Sequence, residues 1–224
     1  LLLGFPVLTI FGERVELTRF VAPGISSQAR YGVWILAVAF ALILIQILFP
    51  TIAPRTIMLT WVLLLMIVAI PLTWGERRLM TRGDKVLHRY LGTHLMVAYG
   101  WLLLGLFIFL AIAIKGQTVA LMDAATHSLA VGFIGSMILA HAPIIMPVIL
   151  GRPLIEEKLS RLPLWLLTMG NFFRVVSAIA GETGLRKAIA SGVAGGLTLL
   201  AVIMFVIFIL RSIQLFSGRQ SATR

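Results

Sequence analysis

His127 and His141 stand fourteen residues apart within one long apolar segment, about 124–150. An α-helix turns about 100° per residue, so this spacing falls about 40° short of four turns and aims both imidazoles the same way, roughly 21 Å apart along the axis. A hydrocarbon core is about 30 Å thick. Imidazole is costly there and marks a functional site by default. The pair therefore predicts two buried sites, one near each membrane face. His94 lies about four residues into another apolar segment, 90–114, at the end that shares a side with His141. Antiparallel neighbours in sequence usually pack together, so His94 and His141 are expected to face each other across a flat ligand such as haem, whose iron accepts two neutral imidazoles. The competing reading makes both of them packing histidines, hydrogen-bonded to backbone or to Ser/Thr.

His127, between Thr126 and Ser128, has no second histidine at its depth. A haem or copper there needs a ligand from outside residues 1–224. Met122 is soft enough for copper, although a single interfacial Met more often packs. Arg174 is the one charge expected inside the membrane, at a depth comparable with His127. A buried Arg needs an anion, and the candidates are a haem propionate, Glu182 or a substrate; the alternative is snorkelling to the interface. His88, near Asp84, Lys85 and Arg89, reads as a solvated loop residue. No carboxylate pair falls within a span: Glu13, Glu16, Glu76, Glu156, Glu157 and Glu182 sit in loops or at helix ends. A buried proton relay built on Asp or Glu is therefore not expected.

The elements that must hold these groups follow from composition. Of 224 residues, 60% are hydrophobic and 12% charged, with mean hydropathy +1.04, a balance foreign to soluble domains. The chain reads as an all-α, polytopic transmembrane helix bundle forming one domain over 1–224. A partial span at 1–11 precedes six full spans at about 30–50, 57–74, 90–114, 124–150, 162–180 and 188–212. The opening Leu1-Leu2-Leu3-Gly4-Phe5 looks like the tail of a helix already under way, so the chain reads as the C-terminal part of a longer protein. The net charge is +11, but the basic residues lie in short loops, which is membrane topology rather than nucleic-acid binding. Alternate loops carry fourteen and four Lys/Arg, with Arg174 in a span. That bias places loops 75–89 and 151–161 and the C-terminus in the cytoplasm. With no cysteine, disulfides, thiolate metal sites and covalent c-type haem attachment through this chain are excluded, and any metal falls to His, Met or oxygen ligands. Gly132, Gly135 and Ser136 permit close approach of a helix or a flat macrocycle, and Gly192 and Gly196 form a helix-contact motif. Pro143 and Pro147 remove backbone donors and free carbonyls near His141.

Three patches resemble a known family. Residues 126–140, Thr-His-Ser-Leu-Ala-Val-Gly-Phe-Ile-Gly-Ser-Met-Ile-Leu-Ala, are similar to the "HALTVGAIGTMTLA" helix of NnrS-like proteins. Residues 99–106 resemble the Trp-Leu-rich span before it, and Gly4 to Arg14 resemble the family's "FLVLTIxGER" segment. NnrS-like proteins are polytopic proteins of the bacterial inner membrane that carry haem and copper and are linked to denitrification and nitric oxide stress. The resemblance implies that His127 is a metal-site residue and that the chain is roughly a C-terminal half. Where the family continues "VMTR", this chain has His141-Ala142-Pro143 and then Pro147, which adds a histidine and two prolines to the family's pattern. The histidine spacing is also similar to that of the cytochrome b helices, which carry a haem ligand near each membrane face.

The expected function is thus a membrane protein that binds haem, or haem and copper, and handles electrons or nitric oxide, in contact with lipid and with other subunits or a missing N-terminal half. The alternative is a non-catalytic anchor of a larger respiratory or photosynthetic complex. A transporter is disfavoured, because neither inverted repeats nor intramembrane carboxylates are detectable.

Overall fold

The computed structural model describes residues 3–21, 26–82, 86–151, 155, 159–181 and 183–217. Among these every regular element is helical: α1 (Gly4–Val21), α2 (Ser26–Leu48), α3 (Pro54–Arg82), α4 (Val86–Lys115), α5 (Val119–His127), a π-helical segment (Ser128–Gly135), α6 (Ser136–Leu150), α7 (Leu162–Ile179) and α8 (Gly184–Ser217). The α5, π and α6 pieces form one continuous rod. Six of the helices are long and apolar enough to cross a membrane: α2, α3, α4, the α5–α6 rod, α7 and α8.

The six spans fall where the apolar runs predict them. The N-terminal segment differs: it does not end near residue 11 but continues as helix to Val21. Pro6 sits in the first turn of α1, where a proline is tolerated, and no further proline follows before Pro23, so Glu13 and Arg14 are helical rather than loop residues. His88 is likewise on a helix, in the first turn of α4, and is exposed.

Neighbours pack as antiparallel pairs. α3 lies along α4 and α7 along α8, while the α5–α6 rod is wedged between α4 and α7. The main core joins α1–α4 to the rod through Phe11, Leu65, Tyr99, Leu102, Leu106, Leu129 and Phe133; a smaller cluster, Leu139, Leu164, Leu167 and Ala201, ties in α7 and α8. Outward positions carry Trp34, Ile67, Phe107, Ile138, Phe172 and Leu199. Apolar residues outside and polar ones inside suit lipid as the surrounding solvent.

In lipid, helix contact rests on close van der Waals fit more than on hydrophobic driving force. Gly132 supplies that fit. A Cβ there would lie 2.4 Å from Trp101 Cγ, so the indole of α4 occupies the space. Gly105 is filled in the same way by Leu129, and Gly135 is covered by Leu167. The small residues of the rod thus serve helix packing, and side chains take the room a macrocycle would need. The Gly192–Gly196 face is different: nothing approaches either glycine, and α8 meets α7 through Ala194, Leu197 and Thr198 around Gly170.

Candidate functional site

Thr118 caps α5, its hydroxyl accepting from Leu121 N–H at 3.2 Å. Five residues into this helix, past its first turn, lies Asp123. One turn on, His127 Nδ1–H donates to Asp123's backbone carbonyl at 2.9 Å, and the same nitrogen lies 3.1 Å from the Asp123 carboxylate. From α7, Arg174 Nη2 meets both carboxylate oxygens at 2.9 and 3.0 Å, and Nη1 donates to Ser191 Oγ on α8. The cluster binds three helices together. It is only partly open: Arg174 is 23% exposed, Asp123 22% and His127 32%.

This cluster answers the question of Arg174's anion. The partner is Asp123, whereas Glu182 lies outside the described residues. The sequence-level expectation missed Asp123 because its segment started at 124, one residue too late. A sufficient signal was present: a lone Asp four residues before a histidine on one helix, with a lone Arg at matching depth in the next span.

At the other end of the rod, Arg14 of α1 donates to His141 Nε2. His141 Nδ1–H in turn donates to Met137 O at 2.7 Å. Both nitrogens are engaged, so a metal at His141 would have to displace a guanidinium. His94 is fully buried, its Nδ1–H on Tyr90 O at 2.8 Å and its ring stacked on Tyr90 with centroids 3.9 Å apart. The Tyr90 hydroxyl donates to Leu139 O at 3.1 Å. That carbonyl is available because Pro143, four residues on, has no N–H to give it; this is the freed carbonyl that the proline spacing predicts. A haem shared by His94 and His141 does not fit this arrangement.

The in-register geometry expected of His127 and His141 also changes. A π turn holds roughly 4.4 residues, so eight π residues between them withhold on the order of 140° of rotation. His127 accordingly serves the α7 side, while His141 serves α1. All three histidines in spans share one tautomer: Nδ1–H is back-bonded to the carbonyl four residues earlier, leaving Nε2 as the lone-pair nitrogen. Among the described residues no group of three or more His, Cys, Asp or Glu side chains could hold a metal ion. A haem needs fewer protein ligands than that.

On a neighbouring face of α5, Met122, Thr126 and Leu129 wall a cleft of about 520 Å³, together with Gln46, Arg55 and Trp61 among others. Met122 therefore faces apolar packing and this cleft, and none of the histidines lines it.

No curated protein and no solved structure matches the chain. A family profile does, over residues 1–213, and the chain belongs to that family, described as Domain of unknown function (DUF8744).

Proposed function

We propose that this protein is a haem-binding integral membrane protein resembling the NnrS type, acting in electron transfer or nitric oxide handling in a bacterial cytoplasmic membrane. His127 is its iron-ligating residue, and further ligands come from polypeptide or subunits beyond residues 1–224. The observation that carries this reading is the Asp123–His127 contact. A histidine whose Nδ1–H is held by a carbonyl, with a carboxylate beside the same nitrogen, keeps its lone pair on Nε2 and is made a stronger donor, the usual arrangement behind a metal-ligating imidazole.

The residues around it fit that role. Arg174 holds Asp123 through both carboxylate oxygens, Ser191 holds Arg174, and His127's one-third exposure leaves the ring open to a group shared with another surface. Arg174 is also the cation to which a propionate would turn. A bound haem would supply the redox or gas-binding chemistry, and copper is the second metal that a neutral imidazole suits. His94 and His141 take no part in ligation here.

Absorption spectroscopy and metal analysis of the purified protein test the proposal. Haem bands are expected in wild type and should be lost in His127→Ala. In Asp123→Asn they should persist, but with weakened retention of about 10–100-fold. Wild-type protein without haem or copper, or His127→Ala retaining both in full, refutes it.

A further inference from the structure

Four buried polar atoms between α4, the rod and α7 have no hydrogen-bond partner among the described residues: His94 Nε2, Ser136 Oγ, and Nδ2 and Oδ1 of Asn171. Their residues are 0%, 0% and 1% exposed. An amide with neither end bonded costs several kcal/mol in a medium of low dielectric. Interior water removes that cost, typically making about three hydrogen bonds per molecule.

The helix contacts set these atoms in order. On α7, Leu167, Asn171 and Arg174 share one face at i, i+4 and i+7. Leu167 covers Gly135 and Arg174 reaches Asp123, so Asn171 faces the π segment between those two contacts. On α4, Tyr90, His94, Trp101 and Gly105 share a face. Tyr90 reaches Leu139, Trp101 covers Gly132 and Gly105 meets Leu129, which sets His94 at the level of Ser136. Through the membrane the sequence is therefore Asp123–His127–Arg174, then Asn171, then Ser136 with His94, then Tyr90 at Leu139, then His141–Arg14. Successive levels lie about 3–8 Å apart by helix rise, a gap that at most one or two water molecules bridge.

We propose that Asn171, Ser136 and His94 hold a chain of internal water that conducts protons through the bundle, between the Asp123–His127 cluster and the His141–Arg14 end. The Ser136 hydroxyl both donates and accepts, as a relay group must, while the Asn171 amide and His94 Nε2 hold by hydrogen bonds the water molecules that pass the proton on. One proton enters at one end for each that leaves at the other, and no electron moves. The π segment suits the path, since it loosens the rod's hydrogen-bonding pattern opposite Asn171. The path does not depend on haem: flux without haem bands would sink the proposed function and leave this inference standing.

The test uses proteoliposomes of the whole chain with a trapped pH-sensitive dye and a potassium diffusion potential set by valinomycin. Proton uptake should exceed that of protein-free vesicles by about tenfold or more, and should fall about tenfold in Asn171→Leu and in Ser136→Ala, the equivalent of one lost relay hydrogen bond. Wild-type uptake equal to that of empty vesicles overturns the proposal, as does unchanged uptake in either folded variant. If the variants do not fold, radiolytic hydroxyl labelling of wild type decides. Buried Phe133 and Met137, on either side of Ser136 in sequence, should be oxidised by adjacent water, and absence of label at both overturns the path.

Discussion

Removing the Asp123 carboxylate should cost more than removing the Arg174 guanidinium that it meets. At about 3 Å and an effective dielectric near 20, the gross attraction of the pair is about 5–6 kcal/mol. Both side chains keep about a fifth of their surface exposed, so water screens part of this, and about 2–3 kcal/mol remains, the scale of one unpaired Arg within a span. Asp123→Asn strands Arg174 against neutral Ser191 and should lose that full amount. Arg174→Gln leaves Asp123 beside His127 and about one-fifth exposed, so that water supports it; about 1 kcal/mol is expected. Because each single change leaves a lone charge and the double change leaves none, Asp123→Asn with Arg174→Gln should be no worse than Asp123→Asn alone. Reversible unfolding in mixed detergent, arranged as a double-mutant cycle, measures the coupling. Strictly additive losses, or Arg174→Gln proving the more damaging, would refute the electrostatic account of this cluster.

Gly132→Ala should destabilise by about 1–3 kcal/mol, since the new Cβ would lie within 2.7 Å of three Trp101 atoms; thermal unfolding in detergent checks it. Tyr90→Phe should lose about 1 kcal/mol by leaving Leu139 O without its donor, and Pro143→Ala should reverse much of that loss by restoring a backbone N–H to the same carbonyl. The Lys/Arg bias predicts a cytoplasmic C-terminus, so a C-terminal reporter that folds only in the cytoplasm should be active and its periplasmic counterpart silent.

The spans were legible because length and hydropathy suffice once the solvent is lipid: the run 162–180 became α7 at Leu162–Ile179, and the run 90–114 became α4 at Val86–Lys115. The proline effect at Leu139 was legible too, because an absent N–H is a local fact. What a sequence window cannot hold is which faces meet. Arg14 looked like a loop cation because charge follows the apolar stretch 1–11, yet the helix runs on and delivers its guanidinium to His141, 127 residues away. Arg174 announced a need for an anion, but the anion was one residue outside the expected span. Both errors arise at segment edges, where hydropathy averages over the charged residues that matter.

The π segment carries the larger lesson about this site. Fourteen residues of ideal helix would put His127 and His141 on one face and suggest one cofactor wall. Eight residues of wider winding turn that wall into two, one facing α7 and one facing α1. The same eight residues run past Asn171, and Ser136 follows directly after them. A slip in backbone winding, invisible to residue spacing, thus separates the two histidines and sets unpartnered polar atoms in the interior between them. Restoring regular winding tests this coupling directly. Deleting one residue from the π segment, such as Ala130, and so restoring α winding leaves about 1300° between the two histidines in place of about 1260°; α6 should turn by roughly 40° relative to α5 and strain the contact of His141 with Arg14, while leaving the Asp123–Arg174 pair on its own side of the cut. A deletion variant whose proton uptake and Arg14–His141 coupling both match wild type would mean that the winding has no part in either.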